Sequence, residues 1–132
     1  VFALLVDRPE SWWTPVFDDQ FEAVGIDPYP GGTCYETAVD GHQRTWGTVL
    51  SVERPLYIRI AWQVSSSNEP LVDPAAASRI MISLRQAGEQ TRLELVHSDF
   101  IRHGEDAEAC RDLMGSELGW PARLRRLELA CS

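Results

Sequence analysis

Residues Leu56–Ser65 alternate strictly, with Leu56, Ile58, Ile60 and Trp62 on one side and Tyr57, Arg59 and Gln63 on the other. A strand of period two with one apolar side belongs to a sheet that is wet on one face and covered on the other. Four more stretches read as partners. Thr33–Val39 reaches Asp40-Gly41, a two-residue hairpin signal, and Gln43–Val52 returns from it until Arg54-Pro55 breaks the run. Ser78–Gln86 puts Ile80, Ile82 and Leu84 on one face, and Gly88-Glu89 turns the chain into Thr91–Ile101, where Leu93, Leu95 and His97 share a face. Short turns between successive strands predict an antiparallel sheet.

The ends of the chain predict helices. Phe2, Leu5 and Val6 have helical spacing, and Asp7 with Pro9 and Glu10 has the pattern of a second short helix that Thr14-Pro15 stops. Gln20–Pro30 is weakly extended, and Ser66–Ala77 reads as a loop. Glu105–Met114 reads as a helix, Gly115 and Gly119 bracket a break, and Pro121 opens a last helix with Trp120, Leu124, Leu127 and Cys131 in one stripe. The order is α+β: a curved antiparallel sheet burying its apolar face against a long C-terminal helix, with two short N-terminal helices. Trp120, Leu124 and Leu127 should meet Ile58, Ile60, Ile80, Ile82, Leu93 and Leu95. At 132 residues the chain fits one domain, residues 1–132.

Charge removes several function classes. The net charge is −8, all twelve basic residues are arginine, and the one basic cluster is Arg123, Arg125 and Arg126. Such a chain repels phosphate backbones, so no nucleic-acid partner is expected. Without lysine there is neither Schiff-base chemistry nor a P-loop. Cys34, Cys110 and Cys131 lack CxxC spacing and read as small buried hydrophobes rather than disulfides or zinc ligands. No membrane span and no signal peptide is read, and a cytoplasmic location is expected. Arg44, Arg59, Arg85 and Arg92 occupy outward strand positions, where solvated cross-strand salt bridges are expected.

Gly31-Gly32-x-x-Tyr35-Glu36, Asp40-Gly41, Trp46-Gly47-x-Val49 and Pro55 ahead of Trp62 follow one another in a recognisable order. Thr91-Arg92-Leu93-Glu94-Leu95-x-His97 and Gly119-Trp120-Pro121 with Leu124 and Leu127 complete it. In this order the chain resembles the activator of heat-shock-protein-90 ATPase homologue family, within the START-like, birch-pollen-allergen-like superfamily (SRPBCC). The resemblance implies a helix-grip fold with a cavity between sheet and last helix, in a superfamily that binds lipids, hormones, polyketides and other apolar molecules. It also implies a strand before the first helix, for which the sequence has no residues. An edge left open in that way should pair with a second copy, so a chain truly starting at Val1 is expected to form a homodimer or aggregate.

The expected function is binding of a small apolar or amphipathic molecule in that cavity, without a cofactor. Five tryptophans, Trp12, Trp13, Trp46, Trp62 and Trp120, suggest aromatic lining, with packed core as the alternative; Trp62 and Trp120 sit on faces that should oppose each other. Ile82, Leu95 and Leu124 would supply apolar walls. Tyr35 and Trp46 fall opposite each other across a two-residue Asp40-Gly41 turn, as an outer-face pair; that places Glu36 inside, where it could approach His97. A Glu36–His97 pair would either orient a ligand's polar group, form a structural hydrogen bond, or act as acid and base in a cyclase- or hydrolase-like enzyme. A third reading is a module that docks on a chaperone or regulator through its acidic surface. His97, Asp99 and His103 form only a weak metal pattern.

Overall fold

The computed structural model describes residues 1–17 and 20–131. Helix α1 (Phe2–Val6) and a 3-10 turn at Pro9–Ser11 come first. Six strands follow: β1 (Ala23–Ile26), β2 (Thr33–Thr37), β3 (Gln43–Glu53), β4 (Tyr57–Trp62), β5 (Ser78–Ala87) and β6 (Gln90–Ser98). They pair antiparallel in sequence order, and the sheet curls into a half-barrel. A 3-10 segment at Phe100–Asp106, helix α2 (Ala107–Gly115) and helix α3 (Trp120–Ala130) form the bent C-terminal helical stretch. This is the α+β architecture that the strand periodicity and the terminal stripe predict, and the helix-grip fold that the family resemblance implies. No helix of the described residues is long and apolar enough to cross a membrane.

The inward faces of β4 and β5 fill the centre of the core: Ile58, Ile60, Trp62, Ile80 and Ile82 are all at most 3% exposed. Trp120 and Leu127 cover them from α3, and Phe2, Leu5, Val6, Trp12 and Trp13 from the N-terminal segment. Leu56, read from its alternation as inward, lies half exposed just before β4, because the strand starts only at Tyr57. Leu93, Leu95 and Leu124 pack on the core but stay partly open. Cys34 and Cys110 are buried as expected; Cys131 is exposed, because α3 ends at Ala130.

The β2–β3 connection revises one expectation. Ala38 donates to the His42 carbonyl and Gly41, at φ +91°, closes a three-residue Val39–Gly41 loop in place of the two-residue turn. The extra residue moves the register by one, so Tyr35 faces Thr45 instead of Trp46. A bulge between Cys34 and Tyr35 restores the pairing at Cys34–Gly47 and releases Trp46 from it. Trp46 therefore turns inward and is buried instead of forming an outer pair with Tyr35. Gly47 is required beside it: a Cβ there would come within 2.8 Å of the Ala61 carbonyl and the Ile60 side chain.

The burial pattern of α3 sets an order of costs. Leu127→Ala should lower the unfolding free energy by about 2–5 kcal/mol, as expected for a fully buried leucine, and Leu124→Ala by only about 1 kcal/mol. Denaturant titration of both variants checks this; equal costs would show that the helix is rotated relative to its described face.

Candidate functional site

Four indoles form a continuous layer between sheet and helices. Trp13 stacks on Trp46 with ring centroids 4.2 Å apart; Trp46 and Trp62 are 5.8 Å apart, and Trp62 meets Trp120 edge-on at 5.4 Å. All four are at most 6% exposed. They fill the space that the helix-grip fold leaves, so the internal void measures only about 10 Å³. That is room for one water at most. Its lining includes Trp12, Trp46, Ile82 and Trp120.

One end of this layer is held by Glu36, inside on β2 as its alternation predicts. Its carboxylate accepts hydrogen bonds from Trp13 Nε1 (2.5 Å), Val16 N (2.7 Å) and Phe17 N (3.3 Å). Opposite it, the Arg123 guanidinium lies 4.7 Å over the Trp13 ring and donates to the carbonyls of Thr14, Leu118 and Gly119. Arg123 is 2% exposed, although it belongs to the one basic cluster of the sequence. Its pKa is pulled down to about 10 by burial, with the Glu36 charge acting the other way, so it stays cationic at neutral pH. The signal for it was its spacing: Arg123 lies between Trp120 and Leu127 on the buried stripe.

The other end is held by His97. Trp120 Nε1, which can only donate, bonds to His97 Nδ1 at 2.9 Å. The neutral ring must then carry its proton on Nε2 and give it to Ser78 Oγ, 2.7 Å away. Ser78 in turn directs both its hydroxyl (2.7 Å) and its backbone N–H (3.0 Å) at His103 Nε2. This leaves the His103 proton on Nδ1, a buried atom with no partner. Burial, with His103 nearby, pushes the His97 pKa down to about 3, and burial lowers that of His103 too.

Glu36 and His97 do not meet. They stand on β2 and β6, with β3, β4 and β5 between them, roughly 19 Å along the sheet at ordinary strand spacing. Trp13 and Trp62 fill the interval, 6.2 Å apart, with Trp62 6.1 Å from the His97 ring. The expected pairing fails because alternation specifies a face and says nothing of position across the sheet. Asp99 is not on the His97 strand face either. The strand ends at Ser98, and Asp99 is left-handed and pairs with Arg102.

His103 instead joins Asp106 and Cys110, their donor atoms lying within 4.8 Å of one another. The Cys110 thiol, pushed up to about 12 chiefly by burial, donates to Asp106 Oδ2 at 3.2 Å, and Asp106 also accepts from Ser66. With that thiol protonated and bonded to Asp106, and the His103 lone pair committed to Ser78, the three are not a prepared set of metal ligands.

A ligand-sized opening lies elsewhere along the same seam. Between β6 and α3 a groove of about 690 Å³ runs over Leu93, Leu124 and Leu127, with Glu89, Gln90, Thr91 and Glu128 around it. Of the eight residues the sequence singles out for ligand binding, Leu124 lies in this groove. Ile82 and Trp120 line the small void, and Trp13, Glu36, Trp62, Leu95 and His97 line neither.

Two measurements probe the ends of the layer. Glu36→Ala strands two buried donors at hydrogen-bond distance below 3 Å and should cost about 3 kcal/mol, read by denaturant titration. Because His97 and His103 bind protons more weakly folded than unfolded, stability is full above pH about 6.5 and falls as the pH drops toward 3. The slope should approach about 1.4 kcal/mol per pH unit for His97, with His103 adding to it in the same direction. Unfolding curves between pH 7 and 4 check it, and His97→Gln should flatten them.

The chain resembles several solved proteins. An anthrahydroquino-gamma-pyrone synthase, Txn09, solved in complex with SUM, is 28% identical, covering 89% of this chain and 80% of that one with a TM-score of 0.61. Protein NE0264 from Nitrosomonas europaea (16% identity, 96% and 81% coverage, TM-score 0.64) and Ms6760 from Mycobacterium smegmatis (17%, 99% and 81%, 0.61) share the fold. No curated protein matches the chain. Residues 1–131 match the family described as Activator of Hsp90 ATPase homolog 1-like protein, and with a match over nearly its whole length the chain belongs to that family.

Proposed function

We propose that this domain binds a small, flat, apolar or amphipathic molecule in the seam between the sheet and the C-terminal helix. The observation that carries the reading is the groove beside β6. Its volume of about 690 Å³ lies within the range of small-molecule sites, and its floor of Leu93, Leu124 and Leu127 is apolar within a polar rim. A fold of the ligand-binding SRPBCC type supports it. So does the 28% identity to a pyrone synthase, whose name points to a flat polycyclic skeleton. No indole is part of this groove's lining, so the reading rests on the groove and on Leu124 rather than on Trp13, Trp62, Trp120, Ile82, Leu95, Glu36 or His97.

The acid–base reading of Glu36 and His97 gains no support, since each is fully engaged at its own end of the layer. Docking on a chaperone or regulator rests on the net charge of −8 alone.

Titration with a hydroxyanthraquinone, followed by calorimetry and tryptophan quenching, tests the binding reading. Binding tighter than about 100 μM, roughly −5.5 kcal/mol, is expected, weakened at least tenfold by Leu124→Arg. Absence of binding for anthraquinones, flavonoids and fatty acids alike would overturn it.

A further inference from the structure

We propose that the outer face of the sheet over β4, β5 and β6 is a docking surface for a short, extended acidic segment of a partner protein, with an apolar residue between its carboxylates. The inference is independent of the groove and of any ligand in it.

The register fixes what this face carries. Positions that alternate with the buried Ile58, Ile60, Ile80 and Ile82 point away from α3. The charged residues at such positions on the three strands are Arg59, Arg79, Arg85 and Arg92, with one acid, Glu94. These five give +3, so the rest of a chain of net charge −8 carries −11.

Neighbours on this patch repel instead of pairing. Arg85 stands directly opposite Arg92 across the β5–β6 ladder. Neither of them, nor Arg59, has an ion-pair partner among the described residues. This departs from the cross-strand salt bridges expected of outward arginines, and like charges so placed are destabilising. Further along β5, Arg59 stands opposite Met81 and diagonal to Arg79. Arg79 donates to the Pro74 and Ala77 carbonyls, which hold it without neutralising it. Burial, then the charges of Arg102 and Arg59, pull its pKa down, with Asp99 acting the other way. Between Arg79 and the Arg85–Arg92 pair, Met81 and Val96 stand side by side, 36% and 45% exposed.

The spacing selects the class of partner. From Arg79 and from the Arg59–Met81 pair to Arg85 is six and four residues along β5, roughly 20 and 13 Å at ordinary strand rise. An extended peptide with carboxylates four to six residues apart reaches both groups of guanidinium, and an apolar side chain between them covers Met81 and Val96. A nucleic acid or an anionic bilayer carries phosphates far beyond this span and would meet the acidic remainder of the chain. A short acidic segment stays within the patch.

Fluorescence anisotropy with a labelled peptide of about ten residues, glutamates at both ends and leucine between, tests this. Binding tighter than about 100 μM is expected at low salt, with at least a tenfold loss near ~1 M NaCl. Arg85→Glu should weaken the peptide at least tenfold while raising the melting temperature, because it replaces a repulsion of Arg92 by an attraction. The loss of binding is then not a loss of fold. Arg59→Gln, which only removes a charge, should weaken binding to a smaller extent. Arg111→Glu, exposed on α2 and equal to Arg85→Glu in its change of charge, should leave binding as it is. A peptide that does not bind, an equal loss with Arg111→Glu, tighter binding of phosphatidylserine vesicles or of oligouridine, or self-association abolished by Arg85→Glu each overturns the proposal.

Discussion

The Trp13 indole is clamped between two buried charges, and the closing of this fold depends on that clamp. Glu36 takes its N–H from the sheet side, and Arg123 lies over its face from the helix side. Each ion would be costly to bury alone. Glu36 is satisfied by three N–H donors, and the two terminal nitrogens of Arg123 by three carbonyls, while its Nε stays buried without a partner and its charge lies over the ring. Through this arrangement the segment after the first helices, the second strand and the last helix are bound to one point. Trp46, stacked on Trp13, and then Trp62 and Trp120 at steeper angles extend the contact across the concave face.

One consequence is a helix-grip domain whose middle is solid. The tryptophans that sequence reasoning takes as cavity lining occupy the cavity, and a ligand-sized open volume lies toward the far edge, where Leu93 and Leu124 are half covered. The chemistry is displaced with it. His97 is neutral and has both nitrogens engaged, so it acts as a joint between β6, β5 and α3. Ser78 passes that joint on to His103, which binds the 3-10 segment after β6 to the sheet.

Much of the architecture was legible from periodicity. The β4 alternation at Ile58, Ile60 and Trp62, the β5 face of Ile80, Ile82 and Leu84, and the spacing of Trp120 and Leu127 each identify an inward side, because burying one face leaves a direct trace in residue order. Glu36 was placed inside by way of an outer Tyr35–Trp46 pair, and it is inside although that pair does not form. The site was less legible. Arg123 was read only as part of a basic cluster, since the carbonyls and indole that receive it lie more than a hundred residues away or at a helix break.

The sequence by itself determined the element order, the faces of the central strands and the family, since these follow from local spacing and from motifs in register. Only the tertiary structure decided which inward residues meet. One extra residue in the Val39–Gly41 loop, compensated by a bulge, turned Trp46 from the outer face into the core. Three intervening strands kept Glu36 from His97. Contact across a sheet depends on register and curvature, which are set by loop closure and packing of the whole chain, and a period of two carries information about neither.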